Sequence, residues 1–325
     1  MLSRVADAIY WMGRSLERAE NTARFLDVNW HLALDLPNPE QNPWVALVAV
    51  TGDRAAFAER YADESRDNVI RFLTFDEDYP NSIQSCLSRA RENARTVREM
   101  IPIEMWEQIN TFYHWVVDQS QEEAVVRDNP NIFCEEVKRR NLTLGGLTDA
   151  AMDHDEAGMF FHLGRLLERA DKTSRVLDVK YFILLPDPSR VGTNLDYIQW
   201  AALLKATSSL QAYRHHHGRI VPARVAEFLL LDHHFPRSVL YCLSGAQKCL
   251  HTITGTPLGH FSNAAEKLLG QLCSELAYDS IEDIFEQGLH EFTDLLQTRM
   301  NAIDVAVFQT FFARVPAIDN TGSSQ

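Results

Sequence analysis

Arginines and carboxylates recur at fixed spacing in two stretches of this chain, and side chains of these types can clamp an anion or move a proton. The first stretch, YWMGRSLERAENTARFLDV, runs from Tyr10 to Val28 and carries Arg14, Glu17, Arg18, Glu20, Asn21 and Arg24. The second, FHLGRLLERADKTSRVLDV, runs from Phe161 to Val179 and carries Arg165, Glu168, Arg169, Asp171, Lys172 and Arg175. Glu17 and Glu168 are candidate general bases, and the arginines beside them are suited to holding a carboxylate through paired N–H donors.

The elements that must position these groups are helices. On a 100°-per-residue wheel Tyr10, Arg14, Glu17, Asn21, Arg24 and Val28 share one face, as do Phe161, Arg165, Glu168, Lys172, Arg175 and Val179. The apolar stripe Val5, Ile9, Met12, Leu16, Ala19, Ala23 and Leu26 lies opposite. Three placements are open for the charged line: a solvated ladder, a seam in which Arg14 and Arg165 reach acids of the opposite helix, or the wall of a cleft. Glu20–Arg24 and Asp171–Arg175 have the spacing of helical i,i+4 ion pairs.

Aligned Gly13 on Gly164, an offset of 151, the two stretches share 11 of 19 residues. Solvated helix charges drift at a cost of a few tenths of a kcal/mol each, so shared arginines and acids point to a constraint beyond solubility. A second pair of blocks, Val69 to Ala90 and Val225 to Ala246, aligns at an offset of 156 with 10 identities in 22. In both, an aspartate (Asp76, Asp232) precedes a proline and then a serine (Ser82, Ser238) expected in the first turn of a new helix, whose N-terminus is a potential anion site. These matches imply duplication. The expected fold is all-α, a helical bundle of two tandem, pseudo-twofold related repeats at 1–150 and 151–318, packed as one unit, with a polar tail at 319–325 that cannot pack.

Prolines 37, 39 and 43 are expected to stop the first charged helix, and Pro186 and Pro188 the second. After an expected break at Asn129–Pro130–Asn131, Phe133 to Leu142 leads through Gly145–Gly146 into the second half, and Asn263 to Ala313 is expected to supply two or more closing helices. With 31 Lys and Arg against 45 Asp and Glu, a net charge of −14 argues against nucleic acid as a partner. No apolar run has the length of a membrane span or a secretory signal. Five scattered cysteines without a CxxC pair suggest reduced thiols and a cytoplasmic setting. His215–His217 and His233–His234 do not form a ligand set on a helix, Glu-x-x-His is absent, and the nucleotide-binding and nucleophile motifs are missing. No metal and no cofactor are therefore expected.

These motifs, with RENARTVREMIPIEMWE and DEAGMFFHLGRLLERADKTSRVLDV, resemble the bacterial alpha-E domain family from Met1 to about Ala313. The resemblance implies company with circularly permuted ATP-grasp proteins and transglutaminase-like cysteine peptidases, hence a system that forms or edits amide bonds. It implies a ligand-binding signature at Arg14, Arg18, Glu20, Asn21, Arg24, Glu92, Asn93, Arg95, Asp155, Glu156, Arg165, Arg169, Asp171 and Arg175, with Gly13, Gly164, Glu104 and Trp106. The favoured expectation is an accessory or co-catalytic subunit that binds a peptide, an amino acid or the ligase in a charged helical cleft. The alternatives are a stand-alone carboxylate-based enzyme using Glu17 or Glu168 on peptide-like substrates, and a non-enzymatic helical scaffold.

Overall fold

The computed structural model describes residues 1–35, 43–182 and 193–313, and among them it is all-α with no strand. Two long helices form the centre: α1 (Ser3–Asp35), whose stripe residues Ile9, Met12, Leu16, Ala19, Ala23 and Leu26 are buried, and a counterpart at Glu156–Phe182. Thirty-three residues make α1 about 50 Å long, enough to touch most of the molecule.

Between them come α2 (Pro43–Thr51), α3 (Arg54–Ala58), α4 (Arg66–Thr74), α5 (Ile83–Thr96), α6 (Ile103–Gln121), α7 (Glu123–Asp128) and α8 (Pro130–Ala151). The second long helix is α9. After it run α10 (Asn194–Ala206), α11 (Leu210–His217), α12 (Pro222–Leu231), α13 (Val239–Thr254), α14 (Ala264–Tyr278), α15 (Ile281–Gln287) and α16 (Leu289–Val307), closed by a π-helical turn at Phe308–Phe312.

Helix α1 packs on α5 and α8, and α6 bridges those two, closing a ring of four. Helix α9 packs on α13 and α16, which α14 bridges in the same way. The two rings meet along α1 and α9, the most extensive helix pairing in the molecule, while α2 and α10 each lie across both long helices. Apolar side chains fill each ring; Phe72, Phe112, Trp200 and Tyr213 are almost wholly enclosed. Deleting one such aromatic ring costs about 3–5 kcal/mol.

The turns before α5 and α13 differ from expectation by half a helical turn. Ser82 and Ser238 are the N-caps themselves, each accepting from the backbone N–H three residues on at 3.1 Å, and Pro80 and Pro236 lie outside the helices. The hydroxyl is thus committed to the orphan amide that an anion would need. Asp76 and Asp232 are also occupied, accepting from the turn's own amides: Asp78 and Tyr79 at 3.1 Å, His234 and Phe235 at 2.7 Å.

Gly145 and Gly146 do not break α8, which continues to Ala151. Two glycines cost a helix roughly 1 kcal/mol each relative to alanine, an expense that tertiary packing overrides here. Gly145 faces Arg165: a Cβ on it would stand 3.3 Å from the guanidinium, a flexible neighbour that can yield by a few tenths of an ångström. The expected stops at Pro37, Pro39, Pro186 and Pro188 and the tail at 319–325 lie outside the described residues, and Pro43 opens α2 instead of ending α1.

Candidate functional site

Glycine sets the distance between α1 and α9. A Cβ on Gly13 would stand 2.4 Å from the Phe161 carbonyl oxygen, and one on Gly164 would stand 2.3 Å from that of Tyr10. Both obstacles are backbone, so no side chain can swing aside, and any larger residue must push the helices apart. One turn further along each helix, that close approach puts the two Glu-Arg pairs opposite one another.

The pairs exchange partners. Arg18 of α1 donates to Glu168 of α9 through Nε at 2.6 Å and Nη2 at 2.8 Å, while Arg169 of α9 donates to Glu17 of α1 through Nε at 2.8 Å and Nη2 at 2.7 Å. Both are bidentate, and both glutamates are fully enclosed. Glu168 also accepts from Arg14 Nε at 3.0 Å and lies 3.6 Å from Lys172; Glu17 accepts from Arg237 at 3.1 Å and Asn21 at 3.0 Å. Burial alone would push both carboxyls up, but Arg169 and Arg237 around Glu17, and Arg18 with Lys172 and Arg14 around Glu168, hold both well below the usual carboxylate range. A permanently ionised, fully coordinated carboxylate accepts no proton near neutrality, so neither glutamate has the poise of a general base.

The surroundings of the two centres differ by a trade. Around Glu17 the helix supplies neutral Asn21, and Arg237, just before α13, supplies the cation. Around Glu168 the helix supplies the cation, Lys172, and the aligned residue before α5 is neutral Asn81, which accepts from Arg18. Each glutamate therefore keeps its extra cation from a different element.

Further along, Arg24 pairs with Glu20 and donates to Ser208, while Arg175 pairs with Asp171 at 2.9 Å and lies against Gly52. Ser208 (φ 53°) and Gly52 (φ 77°) both occupy left-handed turns just beyond the ends of α10 and α2. Glu20 also takes Arg237 at 2.6 Å and Asn141 of α8. The charged line is thus a buried seam between the long helices, and the solvated ladder is excluded.

Beside the seam a cleft of about 770 Å³ opens between α9 and α13, with Arg165, Arg169 and Lys248 among its lining. His162, half-buried in its wall, titrates below an ordinary histidine because of burial and the nearby Arg165 charge, which leaves it neutral at pH 7. Glu17 and Glu168 do not line this cleft. Among the described residues no group of three His, Cys, Asp or Glu side chains is placed to hold a metal ion.

A family model for Alpha-E, described as a predicted alpha-helical domain with a conserved ER motif, matches residues 1–312. The chain belongs to the Alpha-E family. The chain has three Glu-Arg dipeptides, Glu17–Arg18, Glu59–Arg60 and Glu168–Arg169, of which the first and third face each other across the seam. The Alpha-E chain is also similar to uncharacterised proteins of Mycobacterium bovis and Mycobacterium tuberculosis, at 24% identity over 314 residues. The match covers 90% of this chain but 35% of those relatives, so the chain spans about a third of their length. No solved structure matches it.

Of the signature positions, the Alpha-E fold brings Arg14, Arg18, Glu20, Asn21, Arg24, Arg165, Arg169, Asp171 and Arg175 into or beside the seam with Glu17 and Glu168. It does not bring Glu92, Asn93 and Arg95 there: they lie on α5, where Glu92 pairs with Arg91 and Arg95 at the surface. Asp155 accepts from the Ala157 and Gly158 amides at the start of α9, and Glu156 is exposed in that first turn. Glu104 is exposed in α6, and Trp106 packs under Arg98 at 4.8 Å.

Sequence reasoning missed Arg237, Asn81, Asn141 and Asp304. Arg237 and Asn81 had a signal, since they occupy one aligned position in the second pair of blocks and exchange charge in step with Asn21 and Lys172. Asn141 and Asp304 lie on α8 and α16, outside either repeated block, and no spacing rule connects them to α1.

Proposed function

We propose that this Alpha-E chain is a binding module, an accessory subunit of an ATP-grasp-associated system that forms or modifies amide bonds. One observation carries the reading: the Glu17 and Glu168 carboxylates are consumed by the seam, while the open cleft beside them presents cations. A site of that kind recognises and holds an anionic group and leaves the chemistry to a partner. In the longer mycobacterial relatives the matching region is about a third of the protein, which suits a unit that works beside another activity.

The partner is a circularly permuted ATP-grasp protein, with a transglutaminase-like peptidase as a second member of the system. The compartment is the cytoplasm, a choice supported by five buried cysteines with no disulfide between them. Among the described residues no helix is long and apolar enough to cross a membrane. The test is co-purification of the full chain with a circularly permuted ATP-grasp protein from the same organism, together with the ligase's ATP turnover in its presence and absence. Complex formation and a turnover that depends on this chain are expected. Absence of both overturns the reading, and turnover of a peptide-like substrate by this chain alone would favour the stand-alone enzyme.

A further inference from the structure

We propose that the cleft beside Arg165 is a carboxylate-binding site for the C-terminus of a peptide or acylated amino acid with an apolar last side chain. The proposal rests on the reading of this chain as a binding module and names what it binds.

The cleft stands where like positions of the two halves stop matching. On α1, Arg14 is fully engaged: it donates to Glu168, to the Tyr10 hydroxyl at 3.1 Å and to Asp304 of α16. On α9, the residue aligned with Tyr10 is Phe161, which has no hydroxyl, and the facing helix presents Gly145 where α16 presents a carboxylate. Arg165 keeps one ion pair among the described residues, Nε to Glu17 at 3.5 Å, and that glutamate is already satisfied by Arg169 and Arg237. Both Nη groups remain for a ligand, in the fork geometry that matches a carboxylate.

Space is cleared in the same place. Trp11 of α1, stacked on Arg14 at 5.3 Å, is replaced on α9 by the smaller His162. Arg89 of α5, folded onto the Pro80 carbonyl at 2.8 Å, is replaced on α13 by Gly245, which lines the cleft without a side chain of its own. Two bulky side chains thus give way beside Arg165, whose Nη groups have no acceptor among the described residues, and the resulting volume is in the range of small-ligand pockets.

Charge and lining set the ligand class. Arg169 is balanced by Glu17, and Arg165 and Lys248 face a single acid, Asp149, which leaves one net positive charge. That suits a monocarboxylate better than a phosphate, whose charge approaches two near neutrality. Leu166, Tyr241 and Leu258 supply the apolar wall.

The test is calorimetric titration of the isolated full chain with N-acetyl-alanyl-leucine, with its C-terminal amide, and with inorganic phosphate. The acid is expected to bind at least about tenfold more tightly than the amide or phosphate, the effect of one charge-assisted pair. R165Q should bring the acid down to the level of the amide. G145D, which gives Arg165 an acidic neighbour like the one Arg14 has, should do the same while leaving the melting temperature unchanged or raised, so that lost binding is not lost folding. Equal binding of acid and amide, tighter binding of phosphate, no saturable binding of the acid at millimolar concentration, or undiminished binding by G145D would each overturn the proposal. None of these arms contains the ATP-grasp protein, so failure of the site and failure of the partnership are read separately.

Discussion

Exchanging the two cation sources around Glu17 tests whether the seam works as a charge-balanced unit. Arg237 donates to Glu17 at 3.1 Å, to Glu20 at 2.6 Å and to Asn21 at 3.0 Å, all in the buried interior. In R237N, Glu17 keeps Arg169 and Asn21 but loses one cation, and Glu20 is left with Arg24 and Asn141. Removing one partner from a buried charge cluster costs about 3–5 kcal/mol. N21K inserts a lysine one turn from Glu17, at the spacing by which Lys172 reaches Glu168 at 3.6 Å. With Arg237 present it adds a cation and excess volume to a filled site, a penalty of about 1–3 kcal/mol.

Combined, N21K and R237N rebuild around Glu17 the arrangement found around Glu168, with the lysine on the helix and the neutral residue before the neighbouring helix. Independent effects would sum to about 4–8 kcal/mol; the double variant should lose no more than about 3 kcal/mol, a coupling of at least ~1 kcal/mol. Guanidinium unfolding followed by far-UV circular dichroism reads all four proteins, provided the transitions share a slope. A double variant whose loss equals the sum of the singles would refute the idea that Asn21/Arg237 and Lys172/Asn81 are equivalent solutions to one electrostatic problem.

E168Q strips Arg14, Arg18 and Lys172 of their shared acid and should cost about 3–5 kcal/mol, lowering the melting temperature by roughly 5–8 °C for a chain of this size; scanning calorimetry showing under 1 °C would contradict the seam. Glu17 and Glu168 have folded pKa values depressed below their unfolded values, so their stabilisation is complete above about pH 5 and drains as pH falls, the unfolded chain taking up the protons. Denaturation midpoints between pH 6 and pH 3 should show a slope approaching about 2.7 kcal/mol per pH unit from this pair, and a flat profile would rule it out. G164A forces a methyl against the Tyr10 carbonyl and should destabilise by more than about 2 kcal/mol, whereas G146A, where a Cβ meets nothing, should be neutral or stabilising by thermal melt. S238A should cost about 1 kcal/mol through its lost cap; no change in the unfolding midpoint would show that the Tyr241 amide finds another acceptor.

The all-α class was legible because apolar spacing in α1 follows one helical stripe and every stripe position from Ile9 to Leu26 is buried. The opposite charged face was legible as a line but not as a seam. A helical wheel shows which residues share a face and cannot show what that face touches, and arginine with glutamate in alternation is the composition of a solvated surface as well. The cue that sequence reading did not use is glycine: Gly13 and Gly164 sit within long helices where alanine would be better by about 1 kcal/mol, and backbone contact is the reason. Glu92 and Arg95 were expected among the binding residues from the family resemblance but lie on the outer face of α5, so that resemblance did not predict proximity to the seam. The cleft was invisible because it depends on the volume that His162 leaves open where α1 carries Trp11, and absent volume leaves no periodic mark.

Reciprocity gives the Glu-Arg dipeptide a physical rationale. Neighbours on a helix point about 100° apart, so Glu17 and Arg18 cannot close a bidentate pair with each other; a second helix carrying the same dipeptide, at glycine-contact distance, lets each arginine reach the other's acid. A buried ion pair of this kind is weak as a source of net stability, because desolvation offsets most of its attraction, but it penalises errors heavily. Sliding α1 by one turn against α9 would leave two glutamates and at least four cations buried without partners, at several kcal/mol each. The seam therefore fixes register more than it adds stability. Arg165 is carried on α9 one turn before Glu168, so the register that the ER pairs enforce also holds that guanidinium at the mouth of the cleft. Loosening the lock should then blur binding there before it unfolds the chain: a partly destabilised K172Q protein, still folded at 25 °C, should bind the acid more weakly although residue 172 does not line the cleft. Unchanged affinity in that variant would separate the lock from the site.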